Sequence, residues 1–338
     1  MDAAPDYQTA IQACLEELKA YPRTAFPVDY AEIQTNLGTA YGALAETEET
    51  KKNCLLAIAA YEEALKIFTP AGHPFEYAMV KNNLGTVYST LAGVEDLAAN
   101  SHRALEAYTD ALKVRTRGEY PEEYAMTMHN LGIVYRELAA SEEKVMNCHR
   151  AIDAFGEALV IRTRADFPED HAQTQAERGK AYWVLSFEED KAGNCRQAAD
   201  AFLAALTVFR PEDNPVDFAA TQGNLGNVYR TLGTIEDRAG NCRRAIEAYH
   251  KALDIYTRDR YPVEYARTQS SLGDEYWILA GLEDKEKNTR LAIAAYSEAL
   301  HGMTAEEDPL QYELLQKYLE ILRTGTAGES ISREPSNG

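Results

Sequence analysis

Apolar residues along this chain fall three and four apart rather than alternating. Between Pro27 and Ala45 the stripe runs Tyr30, Gln34, Leu37 and Gly38, Tyr41, then Leu44 and Ala45. That spacing predicts one face of a helix, here called helix A. Pro27 stands just before it, where a missing N–H costs nothing. A second stripe, Ala57 and Ile58, Tyr61, Ala64 and Leu65, then Phe68, predicts a helix B. An acidic pair, Glu48-Glu49, separates the two. No stretch shows the period of two that a strand requires.

The pattern returns every 47 residues. Prolines hold the step at 27, 74, 121, 168, 215 and 262, and so do glycines at 38, 85, 132, 179, 226 and 273. Tyrosines (Tyr41 to Tyr276) and asparagines (Asn53 to Asn288) keep it too, and acidic pairs recur between the helices. Six units follow: 27–73, 74–120, 121–167, 168–214, 215–261 and 262–308. Residues 1–26 read as half a unit, a lone helix B, because Ala10-Ile11 sits one step before Ala57-Ile58. After Pro309 the stripe Leu314, Leu315, Tyr318, Leu319 and Leu322 predicts a closing helix over 309–324. Residues 325–338 lack apolar content and are expected to be disordered. A mid-helix glycine costs about 1 kcal/mol against alanine. Its return in every unit therefore implies that a neighbouring helix needs the space.

Leu37-Gly38-x-x-Tyr41, Ala57-x-x-x-Tyr61 and Pro74 together resemble the tetratricopeptide signature. The resemblance covers about nine-tenths of the chain and implies an all-α, right-handed superhelical solenoid of antiparallel helix pairs. The usual repeat is about 34 residues, so this one is lengthened at the A–B loop and the B-to-A connection. The aromatic or Asn usual near the start of the signature is replaced by Gln34, Lys81, Met128, Gln175, Gln222 and Gln269. The long form is similar to bacterial and archaeal arrays often fused to CHAT proteases or nucleotide-binding signalling domains. That likeness implies a regulatory or sensor subunit as the alternative to a plain scaffold.

Charge narrows the partners. The formal net charge is −20, which opposes non-specific nucleic-acid binding and docking on anionic lipid. No signal-like leader and no apolar run of membrane-spanning length are visible, and five cysteines suit reduced thiols. The expected setting is therefore cytoplasmic. No nucleophile–base pair, phosphate loop or metal-ligand spacing occurs, so no enzyme activity, cofactor or metal is expected. Cys54, Cys148, Cys195 and Cys242 share one repeat position and read as small buried thiols. His102 and His149 share another, expected to face solvent. Each acidic loop offers two carboxylates where calcium takes six to eight oxygens, so capping of helix B is the stronger reading. Asn53 and its equivalents are either alternative caps or ties from the loop to the next unit.

Function is expected on the exposed, concave side of the A helices. Positions there diverge: Glu32 becomes Met79, Met126, Gln173, Ala220 and Arg267, while Thr39 becomes Thr86, Ile133, Lys180, Asn227 and Asp274. One exposed position is nearly constant at Asn36, Asn83, Asn130 and Asn224, with Glu177 and Ser271 as exceptions. An amide donates and accepts, so this row suits the backbone of an extended peptide. It equally suits bridging of adjacent A helices. In peptide-binding tetratricopeptide proteins asparagines at this position line the groove, and the resemblance implies that role here. A further position reads Gly42, Ser89, Arg136, Trp183, Arg230 and Trp277, large in the later units. Arg136, Trp183, Arg230 and Trp277 are candidate anchors for a protein or peptide, basic or neutral, or else a ladder of stacked Arg and Trp. Unit four is the expected weak joint, with Arg178 in a leucine position and Ala199 where the other units have Ile or Leu.

Overall fold

The computed structural model describes residues 7–306 and 308–324. Within them are fourteen helices and no strand. They are α1 (Tyr7–Ala20), α2 (Pro27–Ala45), α3 (Thr50–Ala64), α4 (Pro74–Ala92), α5 (Leu97–Leu112), α6 (Pro121–Leu138) and α7 (Lys144–Ile161). They continue as α8 (Pro168–Leu185), α9 (Lys191–Ala205), α10 (Pro215–Gly233), α11 (Arg238–Leu253), α12 (Pro262–Ala280), α13 (Lys285–His301) and α14 (Pro309–Thr324). The expected disordered tail, 325–338, lies outside the described residues. The chain divides into two compact units between Glu189 and Asp190, inside the fourth repeat. In the first, α1 packs on α2 and the hairpins α2–α3, α4–α5 and α6–α7 follow one another, with α8 against α7. In the second, α9 packs on α10, then come hairpins α10–α11 and α12–α13, and α14 lies against α13.

Proline sets the start of each A helix: α2, α4, α6, α8, α10 and α12 all carry it in the first turn. Its ring supplies a helical φ where no N–H is needed. The glycine eleven residues on is required by an aromatic ring of helix B. A Cβ on Gly38 would stand 2.7 Å from the Tyr61 ring, one on Gly85 2.7 Å from Tyr108, and one on Gly273 2.6 Å from Tyr296. Hydrogen at that position leaves room for the ring against the helix, and Tyr61, Tyr108, Phe155, Tyr249 and Tyr296 are all buried.

Each A–B loop is built the same way. Its second acidic residue takes a left-handed conformation, φ 34–42°, at Glu49, Asp96, Glu143, Asp190, Asp237 and Asp284. Asp96, Asp190 and Asp237 then cap helix B, accepting from the N–H three residues on. The asparagine settles as a tie within its own loop. Nδ2 of Asn53, Asn100, Asn147, Asn241 and Asn288 donates to the carbonyl of the loop's first acidic residue at 2.5–2.9 Å. That pairing satisfies a backbone acceptor beside a buried side chain.

From the second loop onward, the first acidic residue of the loop reaches back to the helix B before it. Glu95 takes Lys51 at 2.9 Å, Glu142 takes His102 at 2.6 Å and Glu189 takes His149 at 2.7 Å. In the second unit Glu236 takes Arg196 at 2.6 Å and Glu283 takes Arg243. His102 and His149 thus face solvent and also rivet adjacent hairpins. Exposed pairs of this kind contribute little individually.

Candidate functional site

The exposed face of the A helices rests on the helix-B tyrosines. In the first unit the Tyr61 hydroxyl lies 3.1 Å from Thr39 Oγ1, and the Tyr108 hydroxyl 3.1 Å from Thr86 Oγ1. In the second, Tyr249 donates to Asn227 Oδ1 at 2.8 Å and Tyr296 to Asp274 Oδ1 at 2.6 Å. Position 39, although it diverges along the array, therefore follows packing. Where helix B carries Phe155, the facing residue is Ile133, and Phe202 belongs to the repeat with Lys180. That covariation is visible in the sequence and was the signal for a hydroxyl partner.

The asparagine row meets the same hydroxyls from the other side. Asn83 lies near the Tyr61 hydroxyl of the preceding hairpin, and Asn130 near that of Tyr108. Burial raises both phenols, and the Thr39 and Thr86 hydroxyls act the other way. Asn36 is exposed, whereas Asn83, Asn130 and Asn224 are half-buried. Asn83 and Asn130 thus stand beside the preceding hairpin while keeping part of the residue at the surface.

Charges collect where the row gives way to Glu177. Arg136 Nε lies 3.0 Å from Glu177 Oε2 and its Nη2 3.4 Å from Glu137, while Lys180 reaches Glu177 at 2.7 Å. Burial pushes the Glu177 carboxyl up, but Lys180 and Arg136 outweigh it and hold the group below its ordinary value. Glu137, less well served, is raised by burial. In the second unit Arg230 pairs with Asp274 at 3.6 Å. Both candidate arginines therefore already neutralise carboxylates.

Trp183 is half-buried, with its ring edge-on to Phe187 at 5.7 Å. Trp277 lies 5.2 Å from Tyr318 of α14 and 6.3 Å from Tyr296. It belongs to the packing under the closing helix, beside Leu315 and Leu319. Arg178 lies over the Tyr182 ring at 5.3 Å and donates to its hydroxyl at 3.2 Å.

Two buried arginines were not singled out in the sequence. Arg115 and Arg162 occupy the position of Phe68 and end in homologous networks. Arg115 donates to Thr127 at 3.2 Å, which donates to Asn82 at 3.0 Å. Arg162 donates to Thr174 at 3.2 Å, which meets His129 Nδ1 at 3.0 Å. Burial first, then the Arg162 charge, lowers the His129 ring to about 4. The Arg and Thr columns were legible in the 47-residue register. Cys54, Cys148, Cys195 and Cys242 are buried and unbridged, and burial pushes the Cys54 and Cys148 thiols up to about 11. Among the described residues no group of three His, Cys, Asp or Glu is placed to hold a metal ion, and no helix is long and apolar enough to cross a membrane.

No family model and no curated protein matches the chain. Solved structures do. BtubC (BKLC) from P. vanneervenii is 21% identical, with a TM-score of 0.50 over 75% of this chain and 91% of that one. A tetratricopeptide repeat protein from Parabacteroides merdae is 16% identical, with a TM-score of 0.49 over 94% and 93%. The apo form of RapI is 19% identical, with a TM-score of 0.49 over 85% and 96%. At such identities the likeness concerns the fold alone. The described residues form an all-α fold of repeated helix hairpins, without a strand.

Proposed function

We propose that the helix-A face is a protein-interaction surface that takes an extended peptide segment. The observation that carries this reading is the row Asn36, Asn83 and Asn130. Two of these amides lie near tyrosine hydroxyls of the preceding hairpin, and all three keep part of their surface exposed. Half-buried amides have little freedom left to lose when a peptide backbone pairs with them, which favours binding. Met79 and Met126, one turn before Asn83 and Asn130, are half-buried and adaptable in shape. With Arg136 and Arg230 already paired, the surplus of acidic charge favours a basic or neutral segment. A regulatory or sensor subunit, such as a CHAT-type protease partner, would use the same face and differ only in what it binds.

Peptides selected from a random 12-residue display library supply the probe. The combined substitution Asn36→Ala, Asn83→Ala and Asn130→Ala should weaken the selected peptides at least about tenfold. Tyr108→Phe, which removes the hydroxyl but keeps Asn130, should weaken them less. Unchanged affinity in the triple variant sinks the backbone-reading role. Association with a basic peptide should also slow as salt rises, and a flat rate would remove the steering argument.

A further inference from the structure

The A-helix position that follows Thr39 holds Ala40, Val87, Val134, Ala181 and Val228 in the first five repeats and Glu275 in the sixth. All six are buried, Glu275 at 0% exposure. In the first unit Val87 packs in one cluster with Cys54 and Tyr61 of α3, and Ala181 with Cys148 of α7. Glu275 brings a carboxyl to the same register, beside Cys242 of α11. Both of its oxygens are shielded from solvent, and neither has a hydrogen-bond partner within normal distance. A buried, unserved carboxylate is costly, whereas the neutral acid is tolerated.

We propose that Glu275 is a protonation-controlled joint: neutral, it lets α12 seat on α11, and ionised, it loosens that seam and frees α12–α13 with α14. The surrounding charges do not remove the conflict. From α11 the Cys242 thiol and the Arg238 charge favour the carboxylate; from α10 Arg230 does so too, but Arg230 is engaged with Asp274 at 3.6 Å. From α12 itself Asp274 opposes ionisation, and the Tyr249 hydroxyl of α11 bonds elsewhere, to Asn227. Burial dominates and lifts the Glu275 carboxyl from 4.5 to about 7. A group raised in the folded state binds its proton more tightly there. Stability from this group is therefore full below pH 4.5, falls as pH rises towards about 7, and is level above that. Because each hairpin touches only its neighbours, the loss should stay in the C-terminal hairpins.

The test is amide hydrogen exchange on the full chain at pH 5.5 and pH 8, corrected for intrinsic exchange, on the wild type, Glu275→Val and Glu275→Gln. Protection in α12 and α13 of the wild type should drop by more than about tenfold between the two conditions. Protection in α4 and α5, the internal reference, should change far less. Both variants should flatten the difference, Val by restoring the apolar register and Gln as the neutral isostere. If Glu275→Val does not fold, Glu275→Gln and the wild-type reference hairpin carry the comparison. An equal loss in α4–α5, or an undiminished pH response in Glu275→Gln, overturns the joint.

Discussion

The seam between α3 and α4 and the seam between α11 and α12 are built on one plan with one substitution. Both hold a buried cysteine, Cys54 or Cys242, on helix B, and in both a glycine of the following A helix lies under an aromatic ring. Against the cysteine stands Val87 in the first and Glu275 in the second. The glycine–ring contact and the asparagine-tied loop are thus what the hairpin itself requires. The filler between hairpins is free to differ, and there one repeat acquires behaviour its neighbours lack.

Exchanging the fillers is the strongest way to break that comparison. Val87→Glu should destabilise the first unit by about 4 kcal/mol at pH 8 and by much less at pH 5, since burial alone can raise a carboxyl by several pH units. Glu275→Val should move the other unit the opposite way. Chemical unfolding at the two pH values reads both. A Val87→Glu variant as stable at pH 8 as at pH 5 would mean that the seams admit water.

The shared parts should respond alike in the two seams. Gly85→Ala would place a Cβ 2.7 Å from the Tyr108 ring, and Gly273→Ala one 2.6 Å from Tyr296. Each should cost about 2–3 kcal/mol by overpacking, despite the better helix propensity of alanine. Thermal melts that rise instead would show the rings can yield. Asn53→Ala and Asn241→Ala remove the ties to the Glu48 and Glu236 carbonyls at 2.7 and 2.8 Å. Both should cost about 1–2 kcal/mol through an unserved acceptor, measured by urea unfolding. A much smaller loss at one loop would mean that water replaces the amide there.

The fold was open to sequence reasoning because every hairpin repeats the same constraints: proline at the helix start, glycine under a ring, asparagine after the acidic pair. Six copies of one register make a weak local signal unmistakable. The A-helix face was less legible. Position 39 looked free because Thr39, Ile133 and Asp274 share no chemistry, yet each answers the ring that meets it. Trp277 is half-buried and meets Tyr318 of α14, a contact that register cannot show. Glu275 was visible as an outlier in its column, but its burial depends on the neighbouring helix.

The smallest difference between the seams lies in the loops that enter them, and it gives the finest test. Asp237, before α11, accepts from the Gly240 N–H at 3.1 Å, while Glu49, before α3, makes no such cap. Both residues adopt positive φ, 39° and 41°. Aspartate tolerates that conformation better than glutamate, and at Asp237 its shorter arm keeps the carboxylate over the first turn. Glutamate carries its charge past the orphan N–H and pairs with Lys52 at 2.6 Å in solvent instead. Glu49→Asp should therefore stabilise the first unit by about 0.5–1 kcal/mol, since the solvent-exposed pair it gives up contributes little. Asp237→Glu should take a similar amount from the second. Protection of the first-turn amides of α3 and α11 should move with these changes and nowhere else. If Glu49→Asp leaves the α3 amides as they were, the cap is not what separates the loops, and the left-handed residue alone sets their stability.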